Sequence, residues 1–185
     1  MKRQKSKLVL NFRAPGEKIN GVIRYGFGKA MGGRLLVAES GGGVCAVLLG
    51  DTQDGLIAEL AESFPGVTIS LDQVALTATI AKVEAYIEGD EDGGTIALDI
   101  GGSEFQQNVW RSLLAIPPGE TRSYREVAAS VGNPQSVRAV GSACGANVLA
   151  VAIPCHRVVR GDGALSGYRW GVKRKKHLLD RERLQ

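Results

Sequence analysis

Cys155 and His156 stand side by side in Ile153-Pro154-Cys155-His156-Arg157-Val158-Val159, in a chain with three cysteines and two histidines. Three chemistries fit a cysteine so placed. As a zinc ligand it would need partners, since zinc takes four, usually in close pairs such as C-x2-C or H-x3-H. The chain offers no such pair, so no metal is expected. As a structural thiol it would pack as a small hydrophobe behind the apolar run Val151-Ala152-Ile153. As a nucleophile it would need a base, because a thiol with a pKa of about 8.5 is only slightly ionised at neutral pH. His156 is adjacent, but neighbours in an extended segment point to opposite faces. A water between thiol and imidazole is therefore expected rather than a direct bond. The acid that orients the base would come from Glu182 or Asp180, in a helix expected over about 173–185. From the residues alone, the structural and nucleophilic roles both stay open.

The elements that must position this stretch are legible in outline. Residues 1–20 read as a basic leader, broken at Ala14-Pro15-Gly16 and without periodicity. From Gly21 to about Asp51, short apolar runs separated by Gly32-Gly33 and Gly41-Gly42-Gly43 predict an antiparallel meander. Asp51 is placed to cap a helix running to about Ser63, with Leu56, Ile57, Leu60 and Ala61 on one face. A second helix is expected over about 71–88, then an acidic loop from Glu88 to Gly94 and a strand over Thr95 to Ile100. Cys45 sits in an alternating strand and reads as core. Gly101-Gly102 is the expected hinge, which gives a leader (1–20), an α/β domain (21–100) and a helical domain (101–185).

In the second half, Ser103 with Gln106 and Ser123 with Glu126 have the spacing of capping boxes. Asn133-Pro134 is the expected cap and first residue of a third helix reaching about Gly145, with Val137, Val140 and Cys144 inward. Two short helices joined through Val131-Gly132-Asn133 make a helix-turn-helix candidate. Its second helix carries small residues (Ala139, Gly141, Ser142, Ala143), which allow close approach to a polynucleotide backbone, and Arg138 projects from its first turn.

Charge divides along the same line. Residues 21–100 carry 4 Lys/Arg against 12 Asp/Glu, a net of −8, while residues 101–185 carry 13 against 6, a net of +7. A basic half suits a polyanion such as nucleic acid, and it equally suits an unevenly charged solvated surface. There is no apolar run near 18 residues and no long apolar segment behind the basic N-terminus, so neither a membrane span nor a secretory signal is expected. Three cysteines argue against a disulfide framework and for a reducing compartment, the cytoplasm.

The Ile153 to Val159 stretch resembles the signature of the O6-alkylguanine-DNA alkyltransferases, the methylated-DNA–protein-cysteine methyltransferases. Arg138-Ala139-Val140, Ala146-Asn147, Gly161-Asp162-Gly163 and Ser166-Gly167-Tyr168-Arg169-Trp170-Gly171-Val172 resemble the bacterial adaptive-response (Ada) branch. So do Leu36-Val37-Ala38-Glu39-Ser40 and Leu48-Leu49-Gly50-Asp51, and the resemblance covers about residues 21–185. Full-length adaptive-response proteins carry an upstream zinc-binding cysteine cluster and an AraC-type region. Neither is found in these 185 residues, so a gene-activating role is not expected of them.

The resemblance implies an α+β protein: a small, ribonuclease-H-like α/β domain, then a helical, winged-helix-like domain with the helix-turn-helix. It implies that Cys155 attacks the alkyl carbon on guanine O6, or thymine O4, and keeps the group, once per molecule and without a cofactor. His156, a water and Glu182 match the relay that makes the thiolate. Tyr124 matches the tyrosine that gives a proton or hydrogen bond to the base, and Asn147 the asparagine that braces the turn before the active site. Arg138 matches the arginine that enters the base stack. Its helix, with Gln135, Ser136, Ala139 and Ser142, would dock in the minor groove of double-stranded DNA with little sequence preference. Tyr124, Val158, Tyr168, Arg169 and Trp170 would line the pocket for the flipped base, while Lys173 to Lys176 reads as a solvated helix face. A monomer in the cytoplasm of a bacterium, at the nucleoid, is the expected form. The alternatives are a non-catalytic sensor of alkylated bases, a role in which relatives lack the cysteine, and a cysteine hydrolase, for which no oxyanion loop is evident.

Overall fold

The chain folds as two units, Met1–Gly101 and Gly102–Gln185. The computed structural model describes residues 7–90 and 93–184. Residues 1–6 of the expected leader, 91–92 of the acidic loop and Gln185 lie outside the described residues.

The first unit is a six-stranded sheet with two helices. Lys7–Phe12 forms β1, followed by β2 (Val22–Ala30), β3 (Gly33–Ser40), β4 (Gly43–Gly50), α1 (Gln53–Ser63), β5 (Thr68–Leu71), α2 (Gln73–Glu88) and β6 (Thr95–Ile100). The strand order is β1-β6-β4-β3-β2-β5. The expected meander is β2-β3-β4, all antiparallel. β6 pairs parallel to β4, β5 parallel to β2 and β1 parallel to β6, so the sheet is mixed.

Central β4, Gly-Val-Cys-Ala-Val-Leu-Leu-Gly, is buried along its length because helices cover both faces. Gly26 and Gly28 let α2 lie against β2: a Cβ at Gly26 would stand 2.9 Å from Ile80 Cδ1. On the other face Gly50 meets Leu56 of α1. Cys45 is 1% exposed, and burial pushes its thiol up to about 12, as expected of a core cysteine.

Three local expectations are corrected here. Residues 7–12 of the leader are an ordered edge strand, with Lys7 opposite Thr95 and Phe12 opposite Ile100. Arg13 then fixes the chain by an ion pair to buried Asp99 at 2.9 Å. The first helix is capped by Thr52, whose side chain accepts from Gly55 N, rather than by Asp51. The second is capped by Asp72, because residues 68–71 pair as a strand beside β2 before it begins.

The second unit is helical: α3 (Glu104–Leu114), β7 (Arg122–Ser123), α4 (Tyr124–Ser130), α5 (Val137–Gly145), a single 3-10 turn at Cys155–Arg157, β8 (Val158–Val159) and α6 (Val172–Glu182). Both capping boxes form. Ser103 Oγ accepts from Gln106 N and Gln106 Oε1 accepts from Ser103 N, and Ser123 and Glu126 bond in the same reciprocal way. Buried Trp110 donates its Nε1–H to Ala143 O at 2.9 Å and so ties α3 to α5.

The third helix starts later than the Asn-Pro pair suggests. Ser136 N bonds Asn133 O at 2.9 Å, so Asn133-Pro134 opens a β-turn, a setting both residues also favour, and the helix begins at Val137. Val137 is 36% exposed there, while Val140 and Cys144 face inward as expected. No helix among the described residues is long and apolar enough to cross a membrane.

Candidate active site

The segment leading to Cys155 is held by one side chain. Asn147 is fully buried; its Oδ1 accepts from Leu149 N at 2.8 Å and its Nδ2 donates to Ile153 O at 3.0 Å. The same Nδ2 reaches Cys155 Sγ at 3.2 Å. The bend it braces contains Val151 at φ +65°, a left-handed conformation that a β-branched residue adopts only under constraint. The bend and its brace thus set where the thiol lies.

Cys155 does not sit in an extended segment, which corrects the sequence-based geometry. Pro154 caps a 3-10 turn, closed by Arg157 N to Pro154 O at 3.0 Å. At about three residues per turn, His156 and Arg157 leave the chain about 120° apart. Both can therefore reach one carboxylate, and both reach Glu182. His156 Nε2 lies 2.7 Å from Glu182 Oε1, and Arg157 Nη2 donates to the same oxygen at 2.9 Å. Arg157 Nη1 also donates to Ile116 O at 2.6 Å, which anchors the pair to the segment just past α3. Asp180, the other acid considered, is exposed and pairs with Lys176.

This arrangement determines the histidine's protonation. Partial burial pulls the Glu182 carboxyl up, but hydrogen bonds from His156 and Arg157 outweigh it and hold it at about 2. Glu182 is therefore ionised and only accepts, so His156 Nε2 carries the hydrogen. Burial holds the His156 pKa below its ordinary value against the opposing pull of Glu182, so the ring is neutral near pH 7. Nδ1 then bears the free lone pair, and it is buried without a protein partner among the described residues. No hydrogen bond joins it to the thiol. Burial pushes the Cys155 thiol up, only partly offset by Asn147 and by the charges of Lys175 and Arg169. The resting site thus pairs a protonated thiol with a neutral, oriented imidazole.

The thiol faces a pocket of about 310 Å³, lined by Tyr124, Gly141, Cys144, Gly145, Cys155, Gly167, Tyr168 and Arg169. That is roughly the volume of ten waters, enough for one flat purine. The glycines of α5 keep one wall low, and Arg169 Nη1 closes the rim on Gly145 O at 3.0 Å. Cys144, expected in the core, is buried and also forms part of this wall; burial pushes its thiol up to about 12.

Residues 104–184 match the family model of the 6-O-methylguanine DNA methyltransferase DNA-binding domain. The regulatory protein Ada of Salmonella typhimurium is 51% identical over 171 residues, 92% of this chain and 48% of that protein. A methylated-DNA–protein-cysteine methyltransferase of Mycobacterium bovis is 45% identical over 112 residues, 60% of this chain and 68% of its own length.

The chain belongs to the methylated-DNA–protein-cysteine methyltransferase family.

A crystal structure of Mycobacterium tuberculosis OGT in complex with DNA superposes with a TM-score of 0.70 at 34% identity, covering 88% of this chain and 93% of that one. The chain spans about half the length of the Ada protein it matches.

Within this methyltransferase fold, Cys155, His156, Glu182, Asn147 and Tyr124 all gather around the pocket or behind it. Tyr168 and Arg169 line it. Val158 and Trp170 do not: Val158 is buried in β8, and Trp170 packs edge-on against Tyr168 at 5.3 Å, outside the lining. Arg138, Ala139 and Ser142 are exposed together on α5, with Gln135 exposed in the turn before it. The Ser136 hydroxyl is engaged locally, on Asn133 O at 2.6 Å.

Two residues escaped the sequence reading. Arg157 had no assigned role, and nothing short of the turn geometry reveals that it shares Glu182 with His156. Lys175 was placed on a solvated face, yet it is fully buried and donates to Val158 O at 2.6 Å. A signal existed: Lys175, Leu178, Leu179 and Glu182 follow the i, i+3, i+4, i+7 spacing of an inward stripe.

Proposed function

We propose that this protein repairs alkylated DNA by direct reversal, moving a methyl or other small alkyl group from O6 of guanine, or O4 of thymine, onto Cys155. The observation that carries the reading is a buried thiol opening on a purine-sized pocket, with an oriented neutral imidazole behind it. His156 Nδ1 takes the thiol proton through one bridging water, and Glu182 and Arg157 hold the ring as it becomes cationic. The sulfur attacks in line as the carbon–oxygen bond breaks. Tyr124, at the pocket wall, donates to the purine as charge develops there. The thioether that forms has no route back to a thiol, so each molecule acts once and no cofactor takes part.

A base inside a duplex reaches this pocket only by leaving the stack, at a cost of about a few kcal/mol. Arg138, exposed on the first turn of α5, fills the gap. The small, exposed face of α5 suits a close approach through the minor groove, and contacts made mainly to phosphates suit a repair protein indifferent to sequence. The name of the Mycobacterium bovis relative and the DNA bound to the Mycobacterium tuberculosis protein support this reading. The protein works as a monomer in the bacterial cytoplasm, on double-stranded DNA.

The test is the fate of the base. Duplex DNA carrying O6-methylguanine, incubated with excess protein and digested to nucleosides, is expected to yield guanine in place of the methylated base. Retention of the methylated base in a bound complex would favour the sensor instead. Exchanging Arg138 for Ala is expected to slow repair of duplex by about tenfold, as the gap-filling side chain is lost, and to leave reaction with free O6-benzylguanine unchanged. Equal losses on both substrates would remove Arg138 from this role.

A further inference from the structure

Three side chains from separate elements form a chain of polar contacts that ends at the pocket. Tyr124, first residue of α4, lines the pocket, and its Oη lies 2.6 Å from Ser166 Oγ, in the segment between β8 and α6. Ser166 Oγ lies 3.5 Å from Lys175 Nζ, on the buried stripe of α6. Lys175 is pinned by Val158 O at 2.6 Å and cannot withdraw to solvent.

A lysine ammonium has donors and no acceptor. At the Lys175 end Ser166 Oγ can therefore only accept. Its other hydrogen-bond partner among the described residues is Tyr124 Oη, so donating to that oxygen is the arrangement that gives the serine hydrogen an acceptor. With that oxygen accepting, the tyrosine's own hydrogen is turned toward the pocket. The 3.5 Å contact is long, but the cation orients the serine dipole in the same sense. We propose that Ser166 is a positioning residue for alkyl transfer, which with Lys175 behind it fixes the Tyr124 hydroxyl as a donor aimed at the departing purine.

This inference rests on the alkyl-transfer reading and deepens it. As the sulfur–carbon bond forms and the carbon–O6 bond breaks, the bonding electron pair stays with the purine, which must gain a proton. Tyr124 supplies it, the Ser166 hydroxyl proton passes to Tyr124 Oη, and the Lys175 ammonium replaces the serine proton. After the base leaves, water entering the pocket returns a proton to the amine through Tyr124 and Ser166 in the reverse order, and the thiol proton resides on His156. Burial raises the Tyr124 hydroxyl above its ordinary pKa, so unaided it is a reluctant acid, and a cation-backed relay answers that.

Methyl iodide separates this role from a structural one, because iodide leaves without a proton. The experiment measures single-turnover alkylation of Cys155 by O6-methylguanine in duplex and by methyl iodide, for the unaltered protein, Ser166→Ala and Ser166→Thr. Ser166→Ala is expected to lose about 10- to 100-fold with the guanine substrate, at or below the lower end of what general acid catalysis supplies because the tyrosine itself remains, and to keep its methyl iodide rate. Ser166→Thr, which retains the hydroxyl, is expected to recover most of the loss. Ser166→Ala reacting with O6-methylguanine as fast as the unaltered protein, or losing both reactions equally, would overturn the proposal. If the unaltered protein itself transfers no methyl group, the alkyl-transfer reading fails first and this inference falls with it.

Discussion

Cys155→Ser protein is expected to bind duplex DNA containing O6-methylguanine and to remove no measurable methyl group, a loss on the order of 10⁴-fold or more in single-turnover rate. Serine keeps the size of the side chain, and its oxygen is a better acceptor than sulfur for Asn147 Nδ2, which lies 3.2 Å from Sγ. The braced bend and the pocket should survive. What disappears is the polarisable nucleophile. A neutral imidazole with a pKa held below its ordinary value is a weak base, sufficient for a thiol but far from sufficient for an alcohol. The check is a pair of measurements on one preparation: DNA affinity by titration, and methylated base remaining after digestion. Transfer by the serine variant at even a hundredth of the normal rate would place the acceptor elsewhere.

Glu182→Gln carries the second large effect, on rate and on stability together. The carboxylate fixes the His156 tautomer and neutralises Arg157 within a buried cluster. An amide of the same shape leaves the guanidinium without a counter-charge and no longer stabilises the imidazolium formed when the thiol ionises. A rate loss of about 10²- to 10⁴-fold is expected, the range for an oriented base that loses its acid. Breaking a buried pair on one side typically costs about 3 kcal/mol or more.

The pH dependence has a definite sign. The Glu182 carboxyl is held at about 2 in the folded protein against an ordinary 4.5. Its contribution to stability is therefore fully present above pH 4.5 and is lost as pH falls toward about 2. Denaturant titrations should show this acid-side loss in the unaltered protein and a flatter profile across the same window in Glu182→Gln. The repair rate should hold through neutral pH and fall on the acid side below the ordinary histidine value, as His156 Nδ1 becomes protonated. An acid limb at or above that value would contradict a neutral resting imidazole.

Much of the second unit was legible because its signals are local. Ser103 with Gln106 and Ser123 with Glu126 obey a three-residue rule that needs no tertiary partner, and both boxes form. The residues quoted around Cys155 come together in one place, although Tyr124 begins α4, Asn147 lies in the segment after α5 and Glu182 ends α6. The misses have specific physical causes. Lys7–Phe12 is an edge strand with Val9 and Leu10 exposed, so it carries no alternating pattern, and its partner β6 is remote in sequence. Asn133-Pro134 suits a helix start and a β-turn equally, and the turn prevails. A three-residue 3-10 turn at Cys155 is too short to show periodicity, which is why the thiol and imidazole were placed on opposite faces. Lys175 was assigned to solvent by residue type, while its stripe on α6 and the Val158 carbonyl place it inside.

Transfer to Cys155 is tested most directly by the intact mass of the protein after incubation with a slight excess of duplex DNA containing O6-methylguanine. Alkyl transfer to Cys155 should give one added methyl group per molecule, no further change on longer incubation, and fragmentation that confines the addition to the peptide holding Cys155. Restored guanine accompanied by unmodified protein, or a methyl group on any other residue, would contradict it.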